Sequence, residues 1–357
     1  MRVGIIGTGQ LGWMMIIEGR KLGIEFNVLG SDRKAPASKL ASYFYEDRDY
    51  RKFVDDSDVV TAEFEHVDPA ALGYAQDMGK LFPNKESLDL KLERHLEKIY
   101  LKEHGIPVTN FHVANSAEEA IRIADEFDES ILKTSKGGYD GKGQYRKKRG
   151  EKLKIDKIDQ VFVVEEFFNY DFEASIIACR TKKGKIIAHR PSYNFNQDGI
   201  LMYNYAPCDD FGMFEIAKKL MNSLDYTGVM GIEFFIRDGK ATVNEYAPRV
   251  HNSGHHTLSG SSISQFEMHL RSILDLPLGT PRLFTHSGIV NIIGRGIDAG
   301  VRKQLLSISE SKIYDYGKEP RPRRKLGHIN LTAESLDELL QKISTAKKII
   351  YPDSRIH

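Results

Sequence analysis

The chain has 357 residues, and its 51 Lys and Arg residues balance its 50 Asp and Glu residues, which argues against a nucleic-acid coat or a polybasic membrane binder. The 41% hydrophobic and 28% charged composition is that of a multidomain globular protein, and two cysteines are too few for a disulfide scaffold or a cysteine-rich zinc site. The sequence runs directly into a strand-like segment and has no apolar run of about 18 residues, so we expect no cleavable signal, no membrane span and a cytoplasmic location.

Strand-like and helical patterns alternate in the N-terminal part of the chain. Apolar runs at Val3 to Ile6, Phe26 to Leu29 and Val59 to Thr61 predict short parallel strands, with a helix over Gln10 to Leu22 between the first two. This alternation indicates an α/β domain with an open parallel sheet. A charged helix is predicted next, over Ser87 to Glu103.

A glycine motif joins the first strand to the first helix. Gly7-Thr8-Gly9-Gln10-Leu11-Gly12 matches GxGxxG, and Asp32 follows the second strand at the distance expected of a ribose-binding acid. The pattern fits an NAD-dependent oxidoreductase. The motif alone is weak evidence, and it better fits a tight strand–helix turn that holds some other phosphate.

The middle of the chain, from about residue 106 to 285, mixes strands and helices, and the last seventy or so residues predict a small closing domain. The predicted elements are a strand near Phe111, a helix over Ala117 to Phe127, strands at Ser130 to Thr134, Val161 to Val164, Phe172 to Ala178 and Lys185 to His189, a helix over Phe214 to Leu224, a hairpin of Val229 to Ile236 with Lys240 to Glu245, a strand at Val290 to Ile293, and a helix over Leu336 to Ala346.

A second glycine-rich segment follows the strand that carries Lys133. Its glycines are Gly137, Gly138, Gly141 and Gly143. Glycines allow the backbone to approach phosphates closely, and a lysine on the preceding strand can bridge phosphate oxygens. The spacing does not match GxxxxGK[ST], so the segment predicts either a phosphate-covering lid or a flexible loop without a ligand.

Two glutamates interrupt an otherwise apolar hairpin. Glu233 and Glu245 are costly in a buried sheet unless they are paired or bind a metal, and Mg²⁺ prefers such oxygen ligands together with phosphates. A two-residue turn at Asp238-Gly239 would pair Glu233 with Asn244 and turn Glu245 to the other face. The metal hypothesis therefore requires a bulge or another register, and the alternative is two solvent-facing glutamates.

Several longer segments identify a family. The chain resembles the 5-(carboxyamino)imidazole ribonucleotide synthases (PurK, the ATPase subunit of phosphoribosylaminoimidazole carboxylase) of the ATP-grasp superfamily, over nearly its whole length. The segments that carry the resemblance are Gly9 to Gly12, Glu63-Phe64-Glu65, Gly137 to Gln144, Gln197 to Leu201, Asn244 to His255, Ser264-Gln265-Phe266-Glu267 and Lys325 to Leu331.

The resemblance implies an ATP-grasp architecture, α+β in its ATP-grasp part. The expected domains are an N-terminal Rossmann-like domain (1–93), an ATP-grasp domain (94–285) with a lid subdomain at about 106–168, and a small C-terminal domain (286–357). The implied reaction carboxylates 5-aminoimidazole ribonucleotide with ATP and bicarbonate through carboxyphosphate, releasing ADP and phosphate, in purine biosynthesis. Mg²⁺ is the expected metal and a homodimer the expected assembly, with no NAD and no nucleic-acid or membrane partner.

Family residues transfer to matching positions of this chain. The implied ATP-binding residues are Arg94, Lys133, Gly138, Tyr139, Asp140, Gly141, Lys142, Gly143, Gln144, Glu165, Glu166, Phe167, Phe168, Glu173, Asn196, Asn244 and Glu245. The implied ribonucleotide-binding residues are Gln10, Tyr139, Asp140, Arg249, His251, Asn252, Lys318 and Arg324. Glu233 and Glu245 are implied to hold Mg²⁺, and Asp140, Arg249 and Lys133 to act in catalysis.

The chain also departs from the family pattern. Trp13 replaces a usual arginine, Asn196 a histidine that contacts the nucleotide, Asp68 a proline and His256 a tryptophan. These changes concern binding rather than the reaction class. Two alternatives remain: another ATP-grasp ligase, such as a formate-dependent glycinamide ribonucleotide transformylase, or the NAD-dependent oxidoreductase.

Overall fold

A computed structural model describes residues 1–137, 143–155 and 160–352. Within these residues the strands form three sheets, of four, four and nine strands. Gly138, Tyr139, Asp140, Gly141 and Lys142, which are predicted to bind ATP, lie outside the described residues. Tyr139 and Asp140 are also predicted to bind the ribonucleotide. No helix in the described part of the chain is long and apolar enough to cross a membrane.

The N-terminal sheet is parallel, as the sequence predicts, with strand order β3-β2-β1-β4. Its apolar side chains are buried between helices on both faces. The strands are β1 (Arg2–Ile6), β2 (Glu25–Leu29), β3 (Tyr43–Tyr45) and β4 (Val59–Ala62), and the helices are α1 (Gln10–Arg20), α2 (Pro36–Leu40), α3 (Tyr50–Asp55) and α4 (Pro69–Asp77), with a 3-10 turn at Asp47–Asp49.

The single helix predicted over Ser87 to Glu103 is wrong. Two helices occupy this segment, α5 (Lys85–Asp89) and α6 (Arg94–Glu103). The interruption turns the side chain of Lys91 inward, where it lies 2.7 Å from Glu97 and 3.6 Å from Glu245. A continuous helix, periodic in its side chains, would not place Lys91 on that buried pair of acids.

The lid sheet is antiparallel, with strand order β5-β8-β6-β7, and one helix packs on it. Its elements are β5 (Phe111–Ala114), α7 (Ala117–Ala124), β6 (Glu129–Thr134), β7 (Gln144–Lys148) and β8 (Phe162–Glu166). The side chains of Leu132, Phe162 and Val164 are fully buried beneath α7, so the sheet and helix form a small core of their own.

The central sheet has nine strands and continues into the C-terminal part of the chain. Its order is β14-β13-β9-β11-β12-β15-β17-β16, and β10 pairs with β9. The strands are β9 (Phe172–Arg180), β10 (Ile186–Ala188), β11 (Ser192–Gln197), β12 (Ile200–Ala206), β13 (Gly228–Arg237), β14 (Lys240–Ala247), β15 (His286–Ile293), β16 (Ser311–Asp315) and β17 (Lys325–Ala333). The C-terminal strands therefore extend the sheet that carries Glu233 and Glu245.

Helices cover this sheet on both sides. Tyr226, Tyr246, Phe234 and Phe266 are among the largest fully buried side chains of the core. The helices are α8 (Met213–Ser223), α9 (Thr257–Gly260), α10 (Gln265–Ile273), α11 (Ala299–Leu306) and α12 (Leu336–Ile350), with a 3-10 turn at Asn252–Gly254.

The β13–β14 hairpin contains the bulge that the metal hypothesis requires. Asp238 and Gly239 form a two-residue turn with φ values of 49° and 68°, which matches a type I′ turn. The register then shifts: Phe234 pairs with Val243, whereas Glu233 pairs with Glu245, so Asn244 is the extra residue. The bulge brings the two carboxylates opposite each other, where a regular hairpin would have separated them.

Candidate active site

Two adjoining cavities lie between the three regions of the fold. The larger, of about 870 Å³, is bounded by the N-terminal glycine turn, the loop after β14 and the segment before β17. The smaller, of about 350 Å³, lies between the lid sheet and the central sheet. The residues that line both cavities are Arg94, Glu233, Glu245, His251, Asn252 and Lys325. The predicted metal-binding glutamates therefore lie at the junction.

The smaller cavity collects the predicted nucleotide-binding residues. Those that line it are Arg94, Lys133, Gln144, Glu165, Glu166, Phe167, Phe168, Glu173, Asn196, Asn244 and Glu245. Gly143 does not line it; its carbonyl instead accepts a hydrogen bond from the Thr134 N–H at 2.9 Å, which closes the end of β6.

A buried ion pair forms the floor of the smaller cavity. Lys133 Nζ lies 2.8 Å from Glu165 Oε1, and the other carboxylate oxygen accepts a 2.7 Å hydrogen bond from Thr109 and faces Lys98 at 3.4 Å. Burial disfavours ionisation of Glu165, but Lys133 and Lys98 outweigh it and hold the pKa of this carboxyl well below its usual range. Burial lowers the pKa of the Lys133 ammonium despite its partner.

A second acid of this cavity is held by neutral donors. The Tyr170 hydroxyl donates to Glu173 at 2.9 Å, and the Asn196 amide donates to its other oxygen at 2.5 Å. Burial raises the pKa of Glu173 because neither donor carries a charge. Asn196, a departure from the family pattern, thus contacts Glu173 within the cavity.

Glu233 and Glu245 differ in exposure and in charge environment. The Glu233 side chain is 16% exposed and the Glu245 side chain 43%. Burial and the neighbouring carboxylates Glu245 and Glu173 raise the pKa of Glu233. Burial also disfavours charge on Glu245, but Lys91 and Arg94 outweigh it and lower its pKa. The pair therefore carries negative charge that the protein compensates only in part.

This carboxylate pair fits Mg²⁺. Mg²⁺ is usually bound by one or two carboxylates together with substrate phosphates and water, rather than by an all-protein cage. The bulge supplies two carboxylates, and no cluster of three or more metal-ligating side chains occurs in the described residues. The donor set matches a cation that arrives with a polyphosphate.

Sequence reasoning missed Glu97 and Lys98 of α6 and Lys91 in the turn before it. Glu97 and Lys98 are 2% and 1% exposed, and Glu97 accepts a 3.1 Å hydrogen bond from the Tyr246 N–H. Through Lys91, which contacts both Glu97 and Glu245, the helix reaches the carboxylate pair. The available signal was their spacing from the buried Leu101, which places them on the inward face.

The larger cavity receives the loop that follows β14. Arg249 Nε lies 3.1 Å from Glu65 Oε1, so this predicted catalytic cation is already paired with an acid. His251 Nε2 lies 3.6 Å from Glu233 Oε1. Asn252 is 9% exposed, and neither its amide nitrogen nor its amide oxygen has a hydrogen-bond partner among the described residues. A buried amide that faces a cavity without partners is typical of a ligand site.

The glycine turn at the N-terminus is occupied by the chain's own acid. Glu63, at the end of β4, accepts hydrogen bonds from the N–H groups of Gly9 and Gly12, the latter at 2.7 Å. A Cβ on Gly9 would lie 2.7 Å from the Glu63 carboxylate, so glycine is needed for this approach. Asp32 caps its own turn, accepting from the Lys34 N–H at 2.8 Å. A dinucleotide pyrophosphate would have to displace Glu63.

The wall opposite the glycine turn is cationic. Lys318 Nζ donates to the Gln10 side chain, which joins the segment before β17 to the start of α1. Burial, with Arg324 and Lys325 nearby, lowers the pKa of Lys318 to about 8. Arg324 also lines the cavity and donates to the Glu319 carbonyl at 3.0 Å. These cations predict an anion-binding wall.

Comparisons with known proteins identify the family to which the chain is similar. Three family models match: the ribonucleotide synthetase preATP-grasp domain at residues 1–91, the ATP-grasp domain at 99–266, and the phosphoribosylaminoimidazole carboxylase C-terminal domain at 287–342. N5-carboxyaminoimidazole ribonucleotide synthase of Saccharolobus solfataricus is 47% identical, over 98% of this chain and 96% of its own. The Aquifex aeolicus protein of that name is 43% identical, over 96% and 95%.

Solved structures show the same likeness. The phosphoribosylaminoimidazole carboxylase ATPase subunit from Aquifex aeolicus superposes with a TM-score of 0.87 at 39% identity, over 98% of this chain and all of its own. The Aspergillus clavatus N5-carboxyaminoimidazole synthase in complex with ADP and 5-aminoimidazole ribonucleotide gives 0.87 at 28% identity, over 98% of both chains. These matches, together with the cavities and the carboxylate pair, show that the chain belongs to the N5-carboxyaminoimidazole ribonucleotide synthase family of ATP-grasp ligases.

Proposed function

We propose that this enzyme uses ATP and bicarbonate to carboxylate the exocyclic amine of 5-aminoimidazole ribonucleotide, releasing ADP and phosphate. The observation that carries the proposal is the meeting of the two cavities at Glu233 and Glu245. A nucleotide in the smaller cavity would extend its phosphates to the junction, and an acceptor in the larger cavity would meet them there. Reactants held in such an arrangement need little further covalent help from the protein.

The chemistry divides into two transfers. A bicarbonate oxygen attacks the γ-phosphorus of ATP, the bond to the β-phosphate oxygen breaks, and carboxyphosphate and ADP form. The amine nitrogen then bonds to the carboxyl carbon, or to the CO2 that carboxyphosphate releases, while phosphate leaves and the amine loses a proton. Both transfers concentrate negative charge on oxygen atoms, which preorganised cations and N–H groups stabilise.

The charged residues of the junction have separate roles in this proposal. Lys133 and Arg94 contact the phosphates from the side of the smaller cavity, and Arg249 from the larger. Glu233 and Glu245 hold Mg²⁺, which when bound supplies positive charge to the phosphate oxygens. Pairing with Glu65 orients the Arg249 guanidinium, because its fork is fixed by contact with the carboxylate.

The ribonucleotide occupies the larger cavity with its phosphate on the cationic wall. Lys318 and Arg324 bind the phosphate, Gln10 orients Lys318, and the unpartnered Asn252 amide and His251 contact the acceptor near the junction. Asp140 and Tyr139, outside the described residues, remain predicted contacts of the amine. A homodimer, a cytoplasmic location and the predicted domain boundaries belong to the same proposal.

The residues argue against one alternative function and leave the other to be tested by experiment. The NAD-dependent oxidoreductase requires the glycine turn, whose N–H groups Glu63 already occupies. A formate-dependent ligase for glycinamide ribonucleotide shares the ATP-grasp domain, so the acceptor itself must distinguish it.

Phosphate release from Mg-ATP and bicarbonate, measured with and without 5-aminoimidazole ribonucleotide, tests the proposal. We expect strong stimulation by this acceptor and transfer of ¹⁴C from bicarbonate into the acid-labile product. Stimulation by glycinamide ribonucleotide with formate instead, or ATP binding without stimulation by 5-aminoimidazole ribonucleotide, would contradict it.

A further inference from the structure

Contacts within the protein fix both the ring and the backbone of His251. Its ring packs against strand β13 at Gly231, where an added Cβ would lie 2.4 Å from the His251 Cβ. Gly231 and Glu233 lie two residues apart on this strand and therefore face the same side of the sheet. The ring is thus placed directly beside the carboxylate pair, with Nε2 directed toward the junction of the cavities.

The backbone of His251 is fixed by one buried carboxamide. Gln265, fully buried at the start of α10, accepts from the His251 N–H at 2.8 Å and donates to the His251 carbonyl at 2.6 Å. Its second amide hydrogen is directed to His255 Nδ1 at 3.0 Å. Gly254 allows this approach, since a Cβ there would lie 2.5 Å from the Gln265 oxygen.

The other ring nitrogen of His251, Nδ1, contacts Ser253, which is fully buried. The Ser253 hydroxyl lies 2.9 Å from His251 Nδ1, and the Ser253 peptide N–H points to the same nitrogen at 3.4 Å. A hydroxyl can donate or accept, but a peptide N–H can only donate. Nδ1 must therefore present its lone pair, and the proton of the neutral ring resides on Nε2.

We propose that Gln265 and Ser253 are positioning residues for His251: Gln265 fixes its backbone, and Ser253 holds its ring as the Nε2–H tautomer. In this form His251 directs an N–H group at the junction, where oxygen anions form during both transfers. The Nε2 atom lies 3.6 Å from Glu233 Oε1, which is beyond hydrogen-bond distance. Its N–H group therefore remains available to donate a hydrogen bond to a ligand. The ligand that this N–H group would bind is an oxyanion. The effect on catalysis rests on the proposed function, whereas the tautomer does not.

Nuclear magnetic resonance of the full chain labelled with ¹⁵N-histidine tests the tautomer without turnover. The His251 signals are assigned by their loss in His251→Gln. We expect a pyridine-type Nδ1 and a pyrrole-type Nε2 in the unmodified enzyme. The opposite assignment would overturn the proposal, whether or not the enzyme carboxylates the ribonucleotide.

Kinetics test the consequence. Ser253→Ala removes the 2.9 Å hydroxyl contact and leaves only the 3.4 Å peptide N–H at Nδ1, so the share of the Nε2–H tautomer should fall. The kcat should then fall at least about tenfold with the KM for ATP unchanged, as for the loss of an oriented donor. Ser253→Thr, which keeps the hydroxyl, should restore both the tautomer and the kcat of the unmodified enzyme. Ser192→Ala removes another buried hydroxyl, 3.0 Å from Ser175, and is the matched control. An unchanged tautomer in Ser253→Ala, or a fall in kcat no larger than in Ser192→Ala, would overturn the role of Ser253.

Discussion

Two regions of the active site bury carboxylates in different ways. On the lid sheet, Glu165 is 2% exposed, and two ammonium groups and a hydroxyl surround its oxygens. On the central sheet, Glu233 and Glu245 face each other, with compensation from Lys91 at 3.6 Å and from Arg94. The pKa of Glu165 is held low, whereas that of Glu233 is raised.

This difference in charge compensation distinguishes an acid that stabilises the protein from acids that bind a ligand. A buried carboxylate is tolerated only when its charge is compensated. Glu165 receives that compensation from its own chain, so its role is to hold Lys133 in place. The protein compensates the charge of Glu233 and Glu245 only in part, and a bound cation must supply the rest. This is expected of ligands for a cation that arrives with ATP.

The largest effect should come from breaking the compensated region. Glu165→Gln leaves Lys133 and Lys98 buried without a charged partner, and should lower the free energy of unfolding by about 3–5 kcal/mol. Urea denaturation measures this loss. Glu129→Gln, which removes a partly exposed partner of Arg146 on the neighbouring strand, should cost less than about 1 kcal/mol. Equal losses in the two variants would contradict the structural role.

The opposite response is expected in the uncompensated region. Glu245→Gln should reduce kcat for ATP turnover at least about 100-fold, because a neutral amide is a poorer Mg²⁺ ligand, and should leave the melting temperature unchanged or higher. Steady-state kinetics and thermal unfolding measure the two quantities. Asp238→Asn, in the exposed turn of the same hairpin, is the control. Near-normal turnover in Glu245→Gln would rule out the metal role.

The cationic wall should show a smaller effect that is confined to one substrate. Lys318→Ala removes the half-buried ammonium beside Gln10 and should raise the KM for the ribonucleotide at least about tenfold, with little change in the KM for ATP. Lys312→Ala, an exposed lysine of β16, should change neither constant. Equal increases in both constants for Lys318→Ala would contradict the phosphate role.

Buried bases extend the comparison to acid pH. His269 accepts from the Val229 N–H at 3.1 Å, and burial lowers its pKa to about 4. The unfolded chain therefore binds more protons below pH 6.5, and stability should fall there by up to about 1.4 kcal/mol per pH unit for this one group. Urea denaturation between pH 7 and 5 measures the slope. His269→Gln should reduce this slope by the share of one group, and His112→Gln, on an exposed position, should not change it. Equal slopes in all three proteins would contradict this account.

Local patterns were sufficient to predict much of the fold. Three of the four strands of the N-terminal sheet follow from short apolar runs, whereas β3 was not predicted. The type I′ turn at Asp238-Gly239 follows from residue preferences alone. The helix break around Lys91 did not follow from the sequence, because long-range contacts with Glu97 and Glu245 compete there with helical propensity.

The sequence alone determined the candidate ligands and, through its longer motifs, the family. Acids in an apolar hairpin pointed to Glu233 and Glu245 as site residues, and the resemblance to the family added Asn252 and Lys318. Only the tertiary structure decided what each group contacts: the bulge that sets Glu233 against Glu245, and the Glu63 carboxylate on the glycine turn. The reason is physical, because charge compensation depends on distances between residues that are remote in the chain, and no local pattern specifies those distances.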